Sequence, residues 1–194
     1  KIRVKFNKKL ELKIKNEKIY KKKIDNFIEL INKRINDFKK NNVYLVLENH
    51  QDLDSDHLSY ILKNIDSKFF GLCFDLGNSL STLETPTYFI KKFKNRIYHC
   101  HLKNYKTYIN NNKLNLSPID LGSGSIDIIE MFYLLKKYNS KISFSIEVGN
   151  FKKRIIDMNN KNILKRFNSR SNIRIQQFSN FINENNFKLD KKIY

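Results

Sequence analysis

The sequence contains no tryptophan and no alanine, only two cysteines, and no long uninterrupted apolar run. Without about 18 consecutive apolar residues there is no candidate transmembrane helix, and the charged first residues do not resemble a secretory signal peptide. Cys73 and Cys100 lie inside apolar runs, far from a metal-binding C-x-x-C spacing, so we expect two reduced and packed thiols. These absences predict a cytoplasmic protein that does not contact a membrane.

Acidic residues are scarce, because 19 Asp and Glu stand against 38 Lys and Arg, which gives a net charge of +19. Taken alone, such a charge would indicate a polyanionic partner such as nucleic acid. However, only seven of the basic residues are Arg, the best phosphate binder, and the charge is spread over every segment. The abundance of Lys, Asn, Ile, Phe and Tyr is typical of A/T-rich codon usage. We therefore expect no nucleic-acid partner.

Short β-branched or aromatic runs alternate with longer amphipathic stretches, which is the pattern of βα units around a parallel sheet. The strand candidates are mostly apolar on both faces, as in a sheet covered by helices, and span residues 2–6, 43–48, 69–75, 96–103 and 142–147. Helices are predicted for residues 24–38, after the caps Asp54 and Ser55, for residues 86–93, and for residues 128–135 after Ser125. The Asn-rich residues 105–120 lack periodicity and are interpreted as a loop.

A chain of 194 residues is long enough for one sizeable core, and the sequence shows neither an internal repeat nor a linker. We therefore expect a single domain over residues 1–194. The pattern weakens after Glu147, where residues 151–167 and 173–182 are predicted to be helical. Residues 151–194 are accordingly expected to form a C-terminal helical cover for the sheet.

Four potential metal ligands lie at or near the ends of four successive strand candidates. Glu48, Asp75 and Glu147 close their strands, and His101 lies near the end of its own. The carboxyl ends of parallel strands share one rim, so side chains distant in sequence can converge there. The mostly oxygen donor set suits Mn²⁺, Mg²⁺ or Co²⁺, with Zn²⁺ as a further option. A strand-end carboxylate alone also commonly caps a helix, but charges after buried strands are costly unless something pairs them.

Strand alternation adds further candidates. His99, His101 and Lys103 are two residues apart, so their side chains point to the same face. This places His99 one layer deeper than His101, where we expect it to support the ligand rather than to bind metal. Lys103 lies nearer the mouth, where it would either bind a substrate oxyanion or pair with Asp75 or Glu48. By the same alternation Cys73 shares the face of Asp75.

Five segments of the chain together resemble the xylose-isomerase-like TIM barrels, also called the sugar phosphate isomerase/epimerase family. The segments are Glu48-Asn49-His50, Phe74-Asp75-Leu76-Gly77-Asn78, His99-Cys100-His101-Leu102-Lys103-Asn104, Leu121-Gly122-Ser123-Gly124-Ser125-Ile126-Asp127 and Ser145-Ile146-Glu147. The resemblance implies an α/β fold of the (β/α)₈ TIM-barrel type that is partial here, with about the last five strands and their helices. Since a closed barrel typically needs about 250 residues, we expect an upstream part, or another copy in a homo-oligomer, to complete it.

The resemblance also implies a role for each site residue. Glu48, Asp75, His101 and Glu147 would bind one divalent metal, and the two glutamates would also form the catalytic acid/base pair. Chelation of a substrate carbonyl and hydroxyl would acidify the neighbouring C–H through an enediolate, so that Glu48 removes a proton and Glu147 returns one on the other side. His50 and Asn78 would contact substrate hydroxyls.

The expected function is therefore a divalent-metal-dependent isomerase or epimerase of a small sugar or sugar acid. A lyase, either a dehydratase or a decarboxylase of an oxidised sugar acid, would use the same enolate. The long segment after the fourth strand candidate, His-Leu-Lys-Asn-Tyr-Lys-Thr-Tyr at residues 101–108, is similar to that of family members acting on such acids. An AP-endonuclease-like DNA repair enzyme and a non-catalytic, degenerate barrel remain alternatives. The latter is motivated by Asn104 and Ser123, where the family usually has Asp and often Glu, so we expect weaker charge near His101.

Overall fold

The computed structural model describes residues 1–6, 17–50, 52–149, 152–168 and 170–185. Within these ranges the elements follow in the order β1 (Ile2–Val4), α1 (Glu17–Lys40), β2 (Leu45–Glu48), α2 (Ser55–Asn64), β3 (Phe70–Asp75), α3 (Leu76–Ser81), α4 (Pro86–Phe93), β4 (Ile97–Leu102), β5 (Asn104–Asn110), β6 (Lys113–Ile119), α5 (Ile128–Tyr138), β7 (Ser143–Ile146), β8 (Arg154–Asp157), α6 (Lys161–Asn168) and α7 (Asn172–Glu184). Among these, no helix is both long and apolar enough to cross a membrane.

The main sheet is parallel and follows the order β1-β2-β3-β4-β7, which confirms the predicted parallel sheet and its strands with ends shifted by a few residues. It curls into a half-barrel covered by helices. Asp75 is in register with His101, and Glu48 with Cys73. The backbone N–H of Glu147 donates to the carbonyl of Leu102 at 3.0 Å, just beyond the end of β7. Pairing thus brings the carboxyl ends of β2, β3, β4 and β7 side by side.

Helices α1, α2 and α4 form where apolar spacing and capping residues predict them, whereas α3 was not predicted. Ile24, Ile28 and Ile31 of α1 are buried at helical spacing against the sheet. Asp54 caps α2 by accepting from the backbone N–H groups of Asp56 at 3.2 Å and His57 at 3.1 Å. Helix α5 begins at Ile128, as predicted, but its capping residue is Asp127 and not Ser125, because Asp127 accepts from the Glu130 N–H.

A second sheet corrects the sequence prediction in two places. Residues 105–120 are not a loop, because β5 and β6 form an antiparallel hairpin there. Its turn places Asn111 and Asn112 at φ 47° and 55°, a left-handed conformation that Asn tolerates better than most residues. Residues 154–157, predicted to be helical, form β8 and pair with β6. The predicted helix over residues 173–182 is confirmed as part of α7.

Two arginines bind the C-terminal part of the chain to the loop between α3 and α4 and to the start of α2. The buried Arg170 donates to the carbonyls of Leu83 and Thr82, both at 2.6 Å. Arg174 donates to the carboxylates of Glu84 at 2.5 Å and Asp56 at 2.8 Å. Buried Phe178 and Ile182 of α7 join the same hydrophobic core as the sheet.

Gly77 is packed too closely for a side chain. A Cβ on Gly77 would lie 2.6 Å from Cε2 and 2.8 Å from Cδ2 of the fully buried Tyr105 ring. We expect Gly77→Ala to lower the free energy of unfolding by about 1–3 kcal/mol, because the ring has to move within a packed core. Gly122→Ala is the control, since its nearest neighbour would be 3.7 Å away, and we expect a change of about 0.5 kcal/mol or less. Urea denaturation measures both; equal losses would contradict the packing argument.

Candidate metal centre

The residues predicted as metal ligands converge at the carboxyl ends of β2, β3, β4 and β7. Glu48, Asp75, His101 and Glu147 each offer one ligand atom, and these atoms all lie within 4.8 Å of one another. Glu48 and Asp75 are fully buried, His101 is buried and Glu147 is partly exposed. The structure therefore brings the whole predicted set together at one rim of the half-barrel.

Asp75 is both a helix cap and a member of this cluster. Its Oδ1 accepts from the backbone N–H of Asn78 at 3.0 Å at the start of α3, and its Oδ2 lies 3.3 Å from Lys103 Nζ. The side chain of Asn49 accepts from the Asp75 N–H at 2.6 Å and donates to its carbonyl at 2.9 Å. Asn49, which sequence reasoning did not single out, thus fixes the backbone that presents Asp75. Asp75 can therefore cap α3 and belong to the cluster at the same time.

Lys103 is buried between two of the carboxylates. The predicted pairing with Asp75 is present, and Glu147 Oε2 lies still closer to Nζ, at 2.8 Å. Burial alone would lower the pKa of Lys103, but Asp75 and Glu147 raise it overall, so the ammonium is charged at neutral pH. A fixed cation therefore faces the same space as the carboxylates.

Asp75 and Glu147 have pKa values shifted in opposite directions. Burial raises the pKa of Asp75 to about 7, against the effect of Lys103 and with a further contribution from Glu147. The imidazole of His101, whose Nδ1 lies 3.6 Å from Oε2, together with Asp75 and Lys103 holds the pKa of Glu147 well below its usual range. Crowded carboxylates resist ionising together, and a bound cation relieves that repulsion.

Two buried atoms of the cluster lack a hydrogen-bond partner among the described residues: Glu48 Oε2 and His101 Nδ1. Glu48 Oε2 does have ionic neighbours, since Arg3 Nη1 lies at 3.2 Å and Lys5 Nζ at 3.4 Å. Buried polar atoms without hydrogen bonds are rare and commonly indicate a bound ion or water. A divalent cation would satisfy both atoms, and a set of carboxylate oxygens with one imidazole suits Mg²⁺, Mn²⁺ or Co²⁺. The residues present fit such an ion.

Sequence reasoning found Lys103 but missed three other basic residues at this rim. Arg3 Nη1 lies 3.2 Å from Glu48 and 4.0 Å from Glu147, and Lys5 is next to Glu48 as well. Arg3 and Lys5 are two residues apart at the end of a strand that pairs with β2, so alternation would have placed both on the face of Glu48. Arg154 reaches the rim from β8, and no local sequence pattern predicts this position.

The two residues predicted to contact substrate hydroxyls both border the cluster. His50 is half-buried, and burial, followed by the charges of Lys5, Arg154 and Lys103, lowers its pKa to about 4, so the imidazole is neutral at physiological pH. Asn78 is buried, with Nδ2 at 3.5 Å from Glu48 Oε1 and Oδ1 accepting from Arg154 Nη1 at 2.9 Å. Both can therefore act as neutral hydrogen-bonding groups.

His99 lies beside His101, where alternation predicts it. The two rings are perpendicular with centroids 5.2 Å apart, and the nitrogens of His99 contact the hydroxyls of Ser143 at 2.7 Å and Ser145 at 3.0 Å. Cys73 Sγ lies 3.3 Å from His101 Nε2. Cys73, His99 and His101 together form a second group of potential metal ligands. Burial raises the pKa of Cys73 well above its usual value, so we interpret it as a neutral neighbour of the imidazole. Both cysteines are free and buried, as expected.

Asn104 has a structural role that explains why an amide is useful at this position. Its Nδ2 donates to the carbonyls of Leu121 at 2.9 Å and Ile126 at 2.8 Å, and its Oδ1 accepts from the N–H groups of Tyr105 and Ile126. It thereby joins the start of β5 to the turn before α5. Ser123 is exposed and donates to Asp120 at 2.9 Å. Both side chains therefore have hydrogen-bond partners away from the four predicted ligands.

We expect Asn104→Asp to be destabilising, because a carboxylate would face two backbone carbonyls and lose both donated hydrogen bonds. The loss at neutral pH should be about 2–4 kcal/mol. Burial would raise the folded-state pKa of the new carboxyl above its unfolded value of about 3.9, so its stability should fall as pH rises from about 4 and level off above the folded pKa. Asn111→Asp, the same change at the exposed hairpin turn, is the control. Urea unfolding from pH 4 to 8 measures both; pH-independent stability of Asn104→Asp relative to wild type would contradict this account.

Comparison with known families and curated proteins gives consistent matches. Residues 11–168 match the family described as xylose isomerase-like TIM barrel. An uncharacterised protein of Methanocaldococcus jannaschii is 32% identical over 110 residues, which are 55% of this chain and 34% of that protein. The 3-oxo-isoapionate decarboxylase of Pectobacterium atrosepticum is 27% identical over 90 residues, 46% of this chain and 33% of the enzyme. The chain thus spans about a third of the length of these relatives.

Solved structures show the same fold at low identity. A xylose isomerase-like TIM barrel protein from Mycobacterium smegmatis in complex with magnesium gives a TM-score of 0.55 at 17% identity, covering 87% of this chain and 53% of its own. A D-tagatose 3-epimerase-like protein gives a TM-score of 0.54 at 21% identity, and the match covers 87% of this chain and 58% of that protein. These likenesses establish a partial TIM barrel and say nothing by themselves about activity.

Proposed function

Because the chain belongs to the xylose isomerase-like TIM barrel family, we propose that it provides the active site of a divalent-metal-dependent isomerase or epimerase of a small sugar or sugar acid. The observation that carries this proposal is the convergence of Glu48, Asp75, His101 and Glu147 within 4.8 Å. In the strand order, β2 and β7 lie on either side of β3 and β4. The two glutamates therefore flank Asp75 and His101, an arrangement that suits proton transfer on opposite faces of a substrate.

The metal would be held by the four clustered side chains, and Mg²⁺, Mn²⁺ or Co²⁺ suits their donor set best. When bound, a divalent cation supplies Lewis-acid stabilisation of the negative charge that develops on substrate oxygens as the neighbouring C–H is deprotonated. The magnesium complex of the Mycobacterium smegmatis relative is consistent with such an ion in this fold.

The side chains of this chain then account for the proton transfers. The Glu48 carboxylate takes the proton from the carbon next to the carbonyl, and Glu147 returns one from the other side; the reverse direction exchanges their roles. In this direction Glu48 starts ionised and Glu147 starts protonated, and each glutamate exchanges its proton with solvent between turnovers. The charged Lys103, 2.8 Å from Glu147, binds an oxyanion of the substrate, while His50 and Asn78 bind hydroxyls. Small sugars are thus the proposed partners, and nucleic acid is not among them.

Solvent deuterium incorporation tests the proposed reaction directly. The full chain, loaded with Mn²⁺ or Mg²⁺, is incubated in D₂O with a panel of ketoses and 3-oxo sugar acids, and products are followed by NMR. We expect one deuterium at the carbon next to the carbonyl of at least one substrate, and its loss after treatment with a chelator. If no compound in the panel gains deuterium, proton abstraction at this site is wrong.

A lyase reaction is the second candidate, favoured by the match to 3-oxo-isoapionate decarboxylase over 46% of this chain. Loss of CO₂ from a 3-oxo sugar acid leaves the same kind of enolate, whereas loss of water starts from one, because the C–H is deprotonated before the neighbouring hydroxyl leaves. The Lys103 ammonium, 3.3 Å from Asp75, would bind the carboxylate or the departing hydroxyl. Product analysis separates the two candidates. Release of CO₂ or formation of a dehydrated product identifies a lyase, whereas conversion to an isomer of equal mass identifies an isomerase or epimerase.

A further inference from the structure

The small antiparallel sheet of β5, β6 and β8 brings an arginine close to the cluster of predicted metal ligands, which is Glu48, Asp75, His101 and Glu147. Arg154, the first residue of β8, donates from Nη1 to Asn78 Oδ1 at 2.9 Å and to Ser81 Oγ at 2.7 Å. Asn78 in turn lies 3.5 Å from Glu48 Oε1, so one side chain separates the guanidinium from the cluster. The Cζ of Arg154 also lies 5.5 Å from the centre of the Tyr105 ring. These contacts fix the position and orientation of the guanidinium at the rim.

A buried hydroxyl accompanies this arginine. Tyr105 is fully buried, and its hydroxyl has no hydrogen-bond partner among the described residues. The close approach of Gly77 holds the ring in place. Buried hydroxyls normally have a partner, and an unsatisfied one calls for a ligand or water that supplies an acceptor. An oxygen of an anionic ligand is such an acceptor.

The charge around the cluster also favours an anion. Arg3, Lys5, Lys103 and Arg154 contact cluster residues or Asn78, and these four cations outnumber the three carboxylates of the cluster. A divalent metal would increase the positive excess. Such a field attracts an anionic substrate and gives no advantage to a neutral sugar. Arginine in particular matches the planar oxygen pairs of carboxylate and phosphate groups.

Building on the proposed function, we propose that Arg154 is a specificity-determining residue that binds the anionic end of the substrate, with the Tyr105 hydroxyl as a further donor. The substrate class is then a sugar derivative that carries a carboxylate or a phosphate, the shared chemistry being a small oxyanion. The metal cluster acts on the carbonyl end, and Arg154 selects the charged end. β8, which the sequence did not predict, therefore has a role in substrate choice.

Binding to three ligands of one carbon skeleton tests this proposal. Isothermal titration calorimetry with the Mn²⁺-loaded full chain compares xylonate, xylitol 5-phosphate and xylitol, which differ in one terminal group. We expect at least one anion to bind at least about tenfold more tightly than xylitol, and the preferred anion identifies carboxylate or phosphate. Arg154→Gln should remove most of this preference without changing xylitol binding, and Arg154→Lys should retain part of it. Lys153→Gln, which removes an exposed charge one residue away, should leave the preference unchanged.

The outcomes separate this proposal from a structural role and from the proposed reaction. If Arg154→Gln weakens all three ligands equally, Arg154 only docks β8 onto α3 and the proposal is overturned. Equal affinity of wild type for the three ligands, or binding of none, overturns it as well. An Arg154-dependent anion preference without deuterium incorporation would leave the subsite standing and refute the isomerase. Deuterium incorporation without an anion preference would support the isomerase and overturn the proposed anion subsite.

Discussion

Glu147→Gln is expected to slow substrate conversion by about 10²–10⁴-fold, because the amide cannot accept or donate the transferred proton. Glu147 is partly exposed at the end of β7, so the substitution should leave the fold intact. Gln retains an oxygen that can still approach the metal, which limits the loss of metal binding. Conversion rates measured at saturating Mn²⁺, with metal occupancy determined in parallel, separate proton transfer from metal loss. Glu130→Gln on the exposed surface of α5 is the matched control and should behave like wild type.

Comparison with Glu48→Gln makes this prediction sharper. If the glutamates act on opposite faces, each variant loses conversion but keeps one base that can remove and return a proton on its own side. Each should then exchange deuterium into only one of the two epimers, and the two variants should differ in which one. Exchange into both epimers by Glu147→Gln, at wild-type rates, would exclude Glu147 as a base.

The parallel sheet and the convergence of Glu48, Asp75, His101 and Glu147 were predictable because their signals are local. Apolar runs mark β2, β3 and β4, and each is followed by or contains a residue that is costly to bury alone. The geometry of parallel strands then brings Glu48, Asp75 and His101 to one rim, however far apart they are in sequence. No contact had to be known in advance. The same logic placed His99 one layer below His101.

The rest depended on contacts that no short pattern encodes. The β5–β6 hairpin lacked clear alternation, although buried Leu114 and Leu116 on β6 and the paired asparagines at its turn were available signals. β8 pairs with β6 along its four residues, and its sequence is too short to have predicted that pairing. Arg154 consequently reaches Asn78 across 76 residues of sequence, a contact visible only in the fold. Long-range pairing thus supplied the part of the site that is proposed to choose the substrate.

His101→Gln is expected to reduce Mn²⁺ affinity by about 100-fold or more, because a direct ligand is worth at least as much as the outer partners of a metal site. His99→Gln is a stringent control, since it is the same substitution two residues earlier on β4, and its effect should stay below about tenfold. Electron paramagnetic resonance of free Mn²⁺ during titration measures both affinities. An equal or larger loss in His99→Gln would move the site one layer deeper, to the group formed by Cys73, His99 and His101. A softer metal would then be favoured, and the glutamates could no longer act as a pair around it.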